Sequence, residues 1–321
     1  MEKDCNIEIK ELKIAITPED SKALKKKVII FIIIISISAI TEKITENEEE
    51  KESKIDESRI NFISTGLNEF NYVKNNYDSF KEKLPTYYNT HITSKNIFWC
   101  WFQGLENAPI ISKSCLKSIR INCPDYNIII INNKNMHNYV HFPNYILEKF
   151  KNKYMTPTHF SDLLRLELLI KYGGTWIDAS VLVTKFEERF FNSELFFFQQ
   201  RTAGCVGSSW FITSEKANPI LITARDLLYE YWRKRDNLCN YFLFHLFIKM
   251  ACEKYVNSFR NIPYFSNYQP HILQSYLKKK YSEAKYNEIL KIISIHKLTV
   301  KLSQIPGDSF FNHIIETYYP K

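Results

Sequence analysis

Apolar and polar positions change rhythm several times along this chain. Residues 28–40, "VIIFIIIISISAI", carry no charge and follow Lys25, Lys26 and Lys27. Residues 41–59, "TEKITENEEEKESKIDESR", are charged and lack aromatics, which predicts a solvated helix or a flexible linker. Residues 60–90 are mixed, with a helix expected from Phe70 to Lys83, ahead of Pro85. From Ile97 the pattern becomes regular. "NIFWCWFQG" reads as a short strand ending at Gly104, and Ile111, Cys115 and Ile119 then recur at helical spacing. "YNIIIINN" is apolar on both faces, as expected of a central parallel strand. Strand, helix and strand in succession predict a βαβ unit.

A second helix is predicted from Thr158 to Tyr172, with Leu163, Leu166, Leu169 and Ile170 on its apolar side. Thr158 or Ser161 is the expected cap, and Gly173 suits the positive φ of a helix end. "TWIDASVLVT", "ELFFFQQ" and "SSWFITS" read as strands; "NPILITARDLLYEYWRKR" and "NYFLFHLFIKMACEKY" read as helices. No internal repeat is evident. The pattern predicts an α/β domain over residues 91–321, preceded by a mainly helical N-terminal extension over residues 1–90.

Composition narrows the picture modestly. The 321 residues carry a net charge of +8, which suits a polyanionic partner such as a nucleotide, phospholipid or acidic polymer. No basic run with interleaved aromatics points to nucleic acid. Seven cysteines (Cys5, Cys100, Cys115, Cys123, Cys205, Cys239, Cys252) form no CxxC pair, which argues against structural zinc and favours a reducing compartment. The run 28–40 as a helix would reach about 20 Å, against roughly 30 Å of hydrocarbon. It therefore reads as a buried element, a membrane-surface anchor or, less simply, a type II anchor; no clear cleavage site for a secretory signal follows it.

The polar residues inside apolar segments carry the candidate chemistry. Asp162 and Arg165 stand three apart on a helix, a glycine pair follows, and the next strand bears Asp178. Each has a structural explanation: Asp162 and Arg165 suit a local ion pair, and Asp178 needs a basic partner or a capping role. Their order brings all three groups towards one place. His245 sits in the aromatic helix "YFLFHLF" and His271 in "NYQPHILQ"; each suits a satisfied buried histidine.

These residues carry a resemblance. "SDLLRLELLIKYGGTWIDASVLVT" is similar to the sugar-nucleotide-binding core of GT-A-fold glycosyltransferases. More closely, it resembles the capsular polysaccharide synthesis protein family, which is related to the glycosyltransferases with a DXD sugar-binding region. "IFWCWFQGLENAPIISKSCLKSI", "NYFLFHLF", "IPYFSNYQPHILQ" and "HKLTVK" resemble further blocks of that family in order, so that the likeness spans residues 95–303.

The resemblance implies a GT-A-like (Rossmann-like) fold and transfer of a sugar, as from a hexosyl donor, to a surface polysaccharide or lipid-linked glycan. It implies donor contacts from Asp162 and Arg165, from Trp101, Gln103 and Gly104 at the end of the first strand, and from Lys297. His245 would face the acceptor or the metal, beside Asp178 and Arg165 as catalytic groups. A divalent cation, Mn²⁺ or Mg²⁺, would be held by Asp178 and Ser180. The serine is a departure: the usual motif has a second Asp there, and a hydroxyl adds no charge. The competing readings are a nucleotide-sugar-binding protein that has lost catalysis and, further off, a metal-dependent phosphohydrolase. The expected location is the cytoplasm, in contact with the inner face of the plasma membrane, or a type II Golgi anchor in a eukaryotic source.

Overall fold

The computed structural model describes residues 67–200 and 205–319. All of them lie in the compact unit Ile63–Lys321. The apolar run 28–40 and the charged stretch 41–59 fall outside the described residues.

A five-stranded sheet in the order β2-β1-β3-β6-β5 forms the centre. β1 (Asn96–Cys100) runs parallel to both β2 (Asn127–Ile131) and β3 (Gly174–Ile177). β6 (Gly207–Ser214) pairs antiparallel with β3 and with β5 (Leu195–Gln199). Side chains alternate across the sheet, as the two-residue period of a strand requires. Phe98, Trp176 and Phe197 join one apolar cluster, whereas Ile97, Trp99, Ile177, Phe196 and Phe198 join another.

The first face is covered by α1 (residues 67–83), α3 (Asn144–Lys151), α4 (Pro157–Tyr172), α6 (Pro219–Lys234) and α7 (Leu243–Lys254), with the short α8 (Val256–Arg260) after it. α1 lies in the segment read from sequence as an extension, yet its Phe70, Val73 and Tyr77 are buried in this core, where Tyr77 meets Tyr231 and Phe247. The second face packs on α2 (Ile110–Asn122), α5 (Glu188–Phe191) and β4 (Val181–Val183). α2 is apolar on two sides. Leu116 and Ile119 face the sheet, while Ile111 and Cys115 join a third cluster with Leu182, α9 (Glu283–Ile292) and α10 (Phe310–Tyr318).

Three local expectations change. The isoleucine-rich strand β2 is an edge strand, with Ile128 to Ile130 only half buried; its second apolar face is not matched by a second neighbour. α4 is capped by Thr156, whose hydroxyl accepts from the His159 N–H, and starts at Pro157, which needs no amide partner there. "TWIDASVLVT" is two strands, not one. β3 stops at Ile177, the Val181 N–H closes a turn onto the Asp178 carbonyl (3.0 Å), and β4 leaves to pair antiparallel with β7 (Ile295–Lys297).

The glycine pair makes the α4–β3 junction. Gly173, at φ 66°, ends α4 with its N–H on the Leu169 carbonyl at 2.8 Å. Gly174, at φ 101°, lets β3 close on β1: a Cβ there would lie 2.4 Å from the Asn96 carbonyl oxygen.

Candidate active site

The carboxyl ends of β1 and β3 lie side by side. Phe98 is level with Trp176, and Cys100 and Asp178 each follow two residues further along the chain. In open α/β sheets this is the edge where ligands bind. Asp178 is fixed at that edge by its own backbone, with its N–H donating to the Trp210 carbonyl at 2.9 Å and its carbonyl accepting from Val181.

Its side chain is surrounded by donors. Trp176 Nε1 donates to Oδ1 at 2.9 Å, and an Arg165 terminal nitrogen lies 3.6 Å from the same oxygen. Lys297 Nζ donates to Oδ2 at 2.8 Å and to Ser180 Oγ at 2.9 Å. The β4–β7 ribbon causes this: Val181 is paired with Lys297, and the Leu298 N–H donates to the Ser180 carbonyl. Burial alone would raise the Asp178 carboxyl, but Lys297 and Arg165, with the hydrogen bonds from Lys297 and Trp176, outweigh it and hold the group below the usual carboxylate range.

Arg165 is nearly inaccessible. One terminal nitrogen donates to Asp162 Oδ1 and the other to Ser161 Oγ at 3.0 Å. The guanidinium lies over the rings of Trp176 and Phe244, 5.1 and 5.4 Å from their centroids. Its Nε is buried without a hydrogen-bond partner. Burial pushes Asp162 up to about 7; Arg165 opposes that rise and the Asp178 charge adds to it. The two carboxylates thus share one guanidinium, while Asp178 alone also has Lys297.

The remaining sequence candidates are distributed as follows. His245 is half buried, and Nδ1 has no partner. Burial, then the Arg165 charge, lowers it to about 4, against smaller opposing effects of the Phe242 carbonyl and Asp178. The imidazole is therefore neutral at pH 7. Trp101 is half buried and packs against the second cluster; its buried Nε1 also lacks a partner. Gln103 is exposed and Gly104 buried, one turn further along the loop. His271 Nδ1 donates to the Asn267 carbonyl (2.7 Å), and the ring packs edge-on with Trp210.

Asp162, Arg165, Asp178, Ser180 and Lys297 thus form one connected set. Trp101, Gln103, Gly104 and His245 make no hydrogen bond to it. Two members were missed from sequence, Trp176 and Ser161. Trp176 had a signal, because it precedes Asp178 by two and so shares its side of the strand.

The expected metal ligands fit a divalent ion poorly. Asp178 Oδ1 accepts from Trp176, and both Oδ2 and Ser180 Oγ accept from Lys297. Among the described residues no group of three or more His, Cys, Asp or Glu could hold a metal ion.

Comparison with known proteins identifies a family and several partial likenesses. A family model described as "Capsular polysaccharide synthesis protein" matches residues 43–314. The O-glycosyltransferase braB of Annulohypoxylon truncatum is 28% identical over 167 residues, which cover 46% of this chain and 39% of that relative, so the chain spans well under two thirds of the relative's length. The solved PaToxG glycosyltransferase is 18% identical, covers 73% of this chain and 95% of its own, and has a TM-score of 0.38. The apo form of the glycosyltransferase GlyE of Streptococcus pneumoniae TIGR4 is 11% identical, covers 70% of this chain and 60% of its own, and has a TM-score of 0.40.

Proposed function

Since this chain belongs to the capsular polysaccharide synthesis protein family, we propose that it moves a sugar from a nucleotide-sugar donor to a hydroxyl of a surface polysaccharide or a lipid-linked glycan. Family membership supports glycosyl transfer and a GT-A-like α/β fold; the donor, the acceptor and the roles of individual side chains are the proposal. The observation that carries it is the convergence of Arg165 and Lys297 on Asp178 at the carboxyl edge of β1 and β3.

In the proposed reaction, the bond between the anomeric carbon and the diphosphate oxygen breaks, and its electron pair leaves with that oxygen. The acceptor hydroxyl oxygen forms the new bond to the anomeric carbon, and its proton passes to the departing diphosphate. The charge that builds on the diphosphate needs positive groups held in place beforehand. Lys297, whose side chain is 19% exposed, is the accessible cation of the set; Arg165, at 4%, acts from behind by orienting Asp178. His245 enters as an uncharged hydrogen-bonding group, and Trp101 and Gln103 supply a ring and an amide where the base and ribose would lie.

We place the domain on the cytosolic side, where nucleotide sugars are made in bacteria, in peripheral contact with the membrane. No helix among the described residues is long and apolar enough to cross one.

The test is turnover of a panel of UDP- and GDP-sugars, followed by mass spectrometry with glycan acceptors, for wild type and Asp178→Ala. Loss of roughly 100-fold or more is expected for the variant. Equal rates in a folded variant would remove Asp178 from the chemistry. Donor binding with no turnover of any sugar would favour the binding-protein reading that Ser180, in place of a second acid, suggests.

A further inference from the structure

Resting on the transferase reading above, we propose that the Lys297 ammonium stands where a GT-A enzyme holds its divalent ion, so that this chain binds its nucleoside diphosphate without metal. The Nζ atom bridges the two oxygens expected to be metal ligands, Asp178 Oδ2 at 2.8 Å and Ser180 Oγ at 2.9 Å. A magnesium ion on the same pair would sit about 2.0–2.1 Å from each oxygen. It would then occupy the space of the ammonium, so ion and lysine exclude one another. The second carboxylate oxygen offers no way round, because it is engaged by Trp176 Nε1 and faces Arg165.

The bridge is built in rather than incidental. Lys297 is held by strand pairing, with Val181 opposite it and the next N–H, that of Leu298, on the Ser180 carbonyl. The two strands of this ribbon are anchored by Val181, Leu182, Val183 and Ile295, all fully buried. An ammonium carries three N–H donors. Two are used on Asp178 and Ser180, leaving one for an oxygen of the diphosphate, and the side chain is partly open to solvent. Serine in place of the second acid belongs to the same arrangement. A lone carboxylate balances one ammonium, whereas a divalent ion calls for more negative charge than one carboxylate supplies. The substitution that weakens a metal site is the one that suits a lysine.

The experiment is calorimetric titration of the full chain with UDP, GDP, CDP, ADP and dTDP, in EDTA and in Mn²⁺, with electron paramagnetic resonance of Mn²⁺ as a direct count of bound metal. The expected result is binding of at least one nucleotide with the same affinity in both buffers and no bound Mn²⁺ signal from the wild type. In EDTA, Lys297→Ala lowers that affinity at least tenfold and Lys297→Arg restores part of it. Thermal unfolding without nucleotide reports whether Lys297→Ala has merely loosened the ribbon, and the two wild-type buffers decide the matter regardless. Binding that needs Mn²⁺ and disappears in EDTA overturns the role of Lys297 and leaves the transferase reading standing. Failure of folded wild type to bind any of the five nucleotides in either buffer overturns the transferase reading, and this inference with it.

Discussion

Removing the charge of Arg165 while keeping its bulk, as in Arg165→Met, tests the logic of the site most directly. Arg165 is 3% exposed and serves two carboxylates, Asp162 by a direct bond and Asp178 at 3.6 Å. Without it Asp162 is a buried acid with no counter-charge, next to a second acid that already raises its pKa. Breaking a buried ion pair on one side costs about 3–5 kcal/mol, whereas replacing both partners by apolar groups is often close to neutral. For a domain of this size each kilocalorie corresponds to roughly 2–4 °C, so Arg165→Met should lower the midpoint by about 6–20 °C. Asp162→Leu should cost less, because Arg165 keeps Asp178. Adding Asp162→Leu to Arg165→Met should recover much of the loss, since Asp178 still has Lys297 and Trp176. Urea unfolding followed by tryptophan fluorescence gives the four corners of the cycle. If the two substitutions simply add, with a coupling below about 0.5 kcal/mol, the carboxylate and guanidinium are not mutual partners and the account of the site is wrong.

Two further outcomes follow from the geometry. Gly174→Ala places a methyl group 2.4 Å from the Asn96 carbonyl at φ 101°, and should destabilise by about 2 kcal/mol or more in the same urea assay; a neutral result would mean that β3 does not lie against β1 as described. Asp162 holds its proton more tightly folded than unfolded, so its contribution is full below the ordinary value of 3.8 and is lost as pH rises through about 7. Between about pH 4 and pH 7 wild type should therefore lose stability relative to Asp162→Asn, and parallel pH profiles for the two would contradict it.

Much of this was legible in the chain. The helical spacing of Leu163, Leu166 and Leu169, followed by Gly173-Gly174 and Asp178, gave both α4–β3 and the meeting of Asp162, Arg165 and Asp178. Those signals are local: a three-residue step on a helix and a turn that only glycine makes without strain. Less was legible where partners are distant. "TWIDASVLVT" has the composition of one strand throughout, and nothing in it marks the turn at Asp178, because the turn is imposed by what β4 pairs with. β7 is three residues long and has no periodicity of its own, so Lys297 read more simply as a surface charge than as a phosphate ligand. β2 illustrates the converse. Four isoleucines in a row signal burial on both faces, but sheet order is a property of the whole chain, and it leaves that strand at an edge.

The link between Asp178 and Lys297 spans 119 residues. On a ribosome working at 5–20 residues per second, the carboxylate emerges roughly 6–24 s before its ammonium. During that interval β4 has no ribbon partner, and the turn at Asp178 must wait with only the neighbours encoded upstream. Assembly of the chemistry is therefore deferred until a much later part of the message has been read, and a ribosome that stalls between the two codons leaves a sheet edge with Arg165 in place but without its accessible cation.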